Sequence, residues 1–132
     1  MTRLALLVSF IALFATTAAS AGTARYTGFD VTSHEDQKVT FHFSDADATS
    51  ASPVVITIPG RKLTNGDRTY RVSLQKHWLS LNVPKGSRFV FRKLGRCELK
   101  REGEFPYCDI YEFEGPDTKK HTEYYIYVGN WP

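Results

Sequence analysis

The sequence predicts a small antiparallel all-β domain, a sandwich or barrel of about seven to eight short strands stapled by one disulfide. Three observations carry that expectation. Five- to eight-residue stretches rich in Val, Ile, Tyr, Phe and Thr alternate apolar with polar residues, as a half-buried strand must. Turn-forming residues separate these stretches at short intervals. Two cysteines, Cys97 and Cys108, occur in a chain whose start reads as an export signal.

That start is MTRLALLVSFIALFATTAASA. Arg3 supplies the positive charge, Leu4 to Phe14 the apolar run, and Ala19-Ser20-Ala21 the small-residue cleavage site of a secretory signal peptide. The apolar run is too short for a bilayer span of about 20 residues. Residues 1–21 are therefore expected to be removed, leaving residues 22–132 as a single secreted β domain with no membrane span. Its location would be extracellular, or periplasmic in a bacterium. In an oxidising compartment the two cysteines pair by default, which would stabilise the fold by about 3 kcal/mol on the chain-entropy model.

The expected strands follow in order. Val39, Phe41 and Phe43 alternate with Thr40, His42 and Ser44, and Val54 to Ile58 is an apolar run closed by Pro59-Gly60. Tyr70, Val72 and Leu74 alternate with Arg71, Ser73 and Gln75; Leu79, Leu81 and Val83 alternate with Ser80 and Asn82. Phe89 and Phe91 alternate with Arg88, Val90 and Arg92, and Tyr124, Ile126 and Val128 with Glu123, Tyr125 and Tyr127. No long stretch keeps a helical period. Asn65-Gly66 reads as a hairpin turn, with further turns at Pro84-Lys85-Gly86, Glu102-Gly103 and Gly115-Pro116-Asp117. A two-residue turn at Glu102-Gly103 would set Cys97 opposite Cys108, although Pro106 cannot donate to a ladder there.

Charge is unevenly distributed. Residues 61–101 hold twelve bases against Asp67 and Glu98, a net of +10, whereas residues 22–60 carry −3 and residues 102–132 carry −5. On the expected strands Arg71, Arg88 and Arg92 face outward with Trp78, Tyr125 and Tyr127, because successive side chains point to opposite sides. A face of Arg, Tyr and Trp has the composition of a protein-binding hot spot. These six residues are the candidate binding site, and the expected partner is another protein, as for a secreted effector or inhibitor. A sulfated glycan, nucleic acid or other polyanion is the alternative. The opposing reading is that the basic centre cross-pairs with its acidic flanks.

No catalytic residue, metal ligand or cofactor is assigned. The four histidines (His34, His42, His77, His121) show no metal-binding spacing, and the glycines are dispersed one per turn. A small ribonuclease or hydrolase toxin would need His42 or His121 to converge with a Glu and an Arg in one cleft, which nothing in the spacing requires.

Overall fold

The computed structural model describes residues 25–34 and 38–132, so the expected signal peptide at 1–21 lies outside the described residues. Two antiparallel three-stranded sheets make up most of it. The first is β1 (Phe29–Ser33), β2 (Val39–Phe43) and β3 (Ile56–Thr57) in that order. The second is β4 (Arg88–Arg96), β5 (Tyr107–Glu114) and β6 (His121–Tyr127), with β5 central. Between them run a 3-10 segment, Asn65–Tyr70, and one helix, α1 (Arg71–Asn82). Among the described residues the fold is thus all-β in character, with six strands and no closed barrel. The sheets meet where Val54 bridges Ile126, the Val54 amide donating to the Tyr125 carbonyl at 3.0 Å and the Tyr127 amide to the Val54 carbonyl at 2.8 Å.

The helix is the main departure from the sequence expectation. Leu74, Gln75, Trp78 and Leu79 are buried, one face at the i, i+4 spacing of a helix. Two features disguise that face as strand alternation. Gln75 is a polar residue inside the buried stripe, and Val72 and Leu81 are apolar residues outside it. Trp78, expected to project outward, is fully buried, because helical spacing brings it beside Leu74 and against the rings of Tyr26 and Tyr124. Asn65-Gly66 correspondingly starts the helical region instead of turning a hairpin. The Asp67 carboxylate accepts the Thr64 amide at 2.7 Å, and the Asp67 amide donates to the Thr64 carbonyl at 3.0 Å, which satisfies amides that a helical start leaves orphaned. Asn82 closes the far end through the Trp78 carbonyl, and Pro84 cannot continue the helix.

The main core lies between α1 and the sheets, built on Phe41, Phe43, Val54, Ile56, Trp78 and Ile126 with Tyr111 and Tyr124. A smaller cluster on the opposite face of the second sheet joins Cys97, Cys108, Ile110 and Tyr127. It is covered by the loop between β4 and β5, and the Cys97–Cys108 disulfide, with Cα atoms 5.9 Å apart, ties the start of that loop to β5. The register differs from a two-residue hairpin: Gly95 faces Cys108 and Arg96 faces Tyr107. Pro106 therefore lies outside the ladder, and its carbonyl accepts the Cys97 amide at 2.9 Å. The turn at Glu102-Gly103 is retained inside the longer loop, with the Glu104 amide bonding the Arg101 carbonyl.

A bulge in β4 decides which side chains face the helix. Phe89 pairs with Phe113 but Phe91 pairs with Glu112, leaving Val90 without an opposite residue. Directly opposed residues share a face, so Phe89 points to the helix side with Phe113, whereas Phe91 is turned to the outer side with Glu112. The residues that follow are shifted in turn: Arg92 opposes Tyr111 and Leu94 opposes Asp109. Arg92, expected to face outward, faces α1.

Trp78→Ala is expected to lower unfolding free energy by about 3–5 kcal/mol, measured by urea denaturation, because the ring sits in the main core. An outward-facing tryptophan would give a change within about 0.5 kcal/mol.

Candidate functional site

The second sheet and α1 enclose the most polar part of the interior. Asp109 stands alone as an acid in the apolar start of β5 and is almost completely buried. Its Oδ2 accepts Gln75 Nε2 at 2.7 Å and its Oδ1 accepts Arg92 at 3.1 Å, while Arg71 Nε approaches Oδ2 at 3.9 Å. The hydroxyl of Tyr111 donates to Gln75 Oε1. Burial pushes that phenol up to about 12, so it remains a donor through the physiological range. The Arg92 guanidinium also lies 5.9 Å from the centroid of the Tyr111 ring. Of the six residues singled out from sequence, this cluster unites Arg71 and Arg92.

The other four are placed differently. Arg88 is exposed on the outer face of the sheet and pairs with Glu114, its opposite on β5. Tyr125 and Tyr127 share that outer face, opposite Ile110 and Cys108. Tyr125 is half-buried; Tyr127, expected to be exposed, is fully buried because the loop between β4 and β5 crosses it. Burial, with Glu104 nearby, pushes the Tyr127 hydroxyl up to about 12. Trp78 belongs to the core.

The charge question resolves toward cross-pairing for the residues in question. Arg71 and Arg92 meet Asp109, Arg88 meets Glu114, and Lys93 lies 3.5 Å from Glu123. All of these acids come from the acidic segment 102–132. The expected open arginine face is therefore largely matched by carboxylates, because antiparallel pairing lays basic β4 directly along acidic β5.

Beside the Asp109 cluster stand large apolar side chains that are open to water. Leu94 is 66% exposed, Phe105 72% and Tyr107 41%. These three border a cavity of about 240 Å³ whose other walls include Arg71, Arg92 and Asp109. Sequence reasoning missed this patch, since Leu94 follows the bulge and Phe105 lies in the disulfide-closed loop. On the other side of Arg92, a larger cleft of about 700 Å³ separates α1 from β4. The aromatic pair Phe89 and Phe113 stands on its sheet wall, ring centroids 5.7 Å apart.

Acid–base residues do meet on the outer face. His121 Nδ1 lies 3.3 Å from Glu112, and His121 faces Glu114, the partner of Arg88. They sit on an exposed sheet surface outside the two clefts described above. His42 pairs with Asp30 at 2.7 Å across β1 and β2 with no arginine in that pair. Among the described residues, no group of three or more His, Cys, Asp or Glu side chains could hold a metal ion, and no helix is long and apolar enough to cross a membrane.

Comparison with protein families, with curated proteins and with solved structures finds no match to this chain. The site must be read from its own chemistry.

Two outcomes are expected here. Arg88→Ala should change stability by less than about 1 kcal/mol in urea titration, as exposed ion pairs do, whereas Arg92→Ala should cost about 3 kcal/mol because it strips a partner from a buried carboxylate. Separately, the Arg61 guanidinium bonds Asp67 at 2.7 and 3.0 Å and, aided by the Thr64 amide, holds this carboxyl at about 2. A carboxyl depressed by folding contributes stability above its unfolded value of about 3.9. That contribution is lost as pH falls toward 2. Thermal melts of Asp67→Asn should show a lower Tm than wild type at pH 6 and a gap that closes as pH falls through that window.

Proposed function

We propose that this chain is a secreted, disulfide-stapled binding protein, of effector or inhibitor type, that docks on another protein. The observation that carries the reading is the exposed Leu94–Phe105–Tyr107 patch beside the paired arginines 71 and 92. Large apolar side chains held open to water on a rigid scaffold are characteristic of interaction surfaces, and interface energy concentrates in a few aromatic anchors with arginine nearby. The loop bearing Phe105 is fixed by the disulfide and by the close approach of the Phe105 carbonyl to Gly129, where a β-carbon would collide. Such anchoring reduces the ordering cost of association.

The expected partner presents an apolar surface with acidic residues around it. Arg96 and Lys100 are exposed next to the patch in sequence and belong to no ion pair among the described residues. The expected export signal, together with the disulfide, supports action outside the cytoplasm. Polyanion binding is less well supported, because it draws on Arg71, Arg88 and Arg92, whose charges already face carboxylates. The His121–Glu112 pair, with Arg88 opposite His121 across Glu114, supplies the residue types of a ribonuclease, but its open surface offers no enclosure for a scissile phosphate.

The test compares immobilised wild-type protein with Leu94→Ser/Phe105→Ser and Arg88→Ala variants in extracellular fluid of the source, with heparin and RNA columns run alongside. A protein captured by wild type and Arg88→Ala, and lost from the double variant, is expected. Capture indifferent to the double variant would contradict the patch. Heparin or RNA retention with a steep salt slope that Arg88→Glu abolishes would favour the polyanion reading.

A further inference from the structure

The cleft between α1 and β4 has a different chemistry from the docking patch. Val72 and Leu79 of α1 form one wall, Phe89 of β4 and Phe113 of β5 the other, and Val83 and Pro84 the end of the trough. Its depth is apolar: Leu79 and Tyr111 on its lining are both nearly inaccessible to water, whereas Val72 and Phe89 at the mouth are exposed. No acidic side chain lines it. The charged residues that do are Lys76, Lys85 and Arg92. Arg92 is committed to Asp109, but Lys76 and Lys85 are exposed and take part in no ion pair among the described residues. Ser80 and Ser87 add hydroxyl groups to the same lining.

A volume of about 700 Å³ falls in the range of small-ligand sites. An apolar trough with two unmatched ammonium groups and no carboxylate selects for a ligand of opposite pattern, namely an apolar chain ending in one negative charge. A purely polar anion would leave the trough wet, and a neutral hydrocarbon would leave both lysines unused. The geometry points to a binding site for a free single-chain amphipathic carboxylate, of the fatty-acid class, with its chain between Val72 and Phe89 and its head group at Lys76 and Lys85. This site is separate from the Leu94–Phe105–Tyr107 patch and does not depend on the protein-docking reading.

The experiment is isothermal titration of the purified protein with laurate below its critical micelle concentration. Dodecyl maltoside supplies the same tail without charge, and butanoate the charge without the tail. Laurate is expected to bind saturably at one site, at least tenfold more tightly than either control. Lys76→Glu/Lys85→Glu, at two exposed positions, is expected to weaken laurate at least tenfold, and Val72→Trp, which fills the mouth of the trough, to abolish it. Leu94→Ser/Phe105→Ser should bind laurate as wild type does. Circular dichroism melts establish that each variant is folded; should Val72→Trp not fold, the lysine variant and the two control ligands decide the outcome. Absence of saturable laurate binding, equal affinity for dodecyl maltoside, or laurate affinity unchanged in the lysine variant would each overturn the site.

Discussion

Asp109 is a carboxylate buried at the centre of the second sheet, and burying a charge is costly unless partners replace the water it has lost. Here the partners come from different elements: Gln75 and Arg71 from α1, and Arg92 from β4. Supplying them fixes how α1 lies across the sheet. It also requires Arg92 to point toward the helix, which the bulge at Val90 makes possible. Tyr111 completes the set by donating to Gln75, so the amide that donates to Asp109 is itself held in orientation. The bulge, the helix position and the inward arginines follow from one constraint.

The outer face of the same sheet is organised by covalent and steric means. The loop between β4 and β5 folds over Tyr127, the disulfide anchors its start, and Gly129 permits the Phe105 carbonyl to approach the terminal segment. Covering Tyr127 leaves Phe105 at the surface. Because Arg88, Arg92 and Lys93 meet acids of β5 and β6, and Arg71 meets Asp109, the strongly basic centre of the chain produces little open positive surface on this sheet. Apolar side chains, with Arg96 and a few lysines that join no ion pair among the described residues, are left to define its surface chemistry.

Much of this architecture could be read from the residues. Alternation located β2 and β6, the turn residues at 84–86, 102–103 and 115–117 located three connections, and the expected export context predicted the cysteine pairing. The failures have physical causes. A stripe containing Gln75 does not look apolar, and Val72 with Leu81 outside it mimics strand alternation, so α1 was hidden. The Thr64–Asp67 capping pair was the signal that could have revealed it. A bulge inverts every later side chain of a strand and leaves little mark in composition, so Arg92 and Phe91 were assigned to the wrong faces. Asp109, a lone acid among Cys108, Ile110 and Tyr111, carries no sequence signal that names it as the group to which Arg71 and Arg92 turn.

A double-mutant cycle between helix and sheet tests this account most directly. Unfolding free energies would be measured for wild type, Gln75→Ala, Asp109→Ala and the double variant. Contact across the buried network predicts a coupling energy of about 1–3 kcal/mol, with the double variant less destabilised than the sum of the singles. Additive effects, with coupling within about 0.3 kcal/mol of zero, would mean that Asp109 does not hold α1, and the placement of Arg71 and Arg92 would lose its cause.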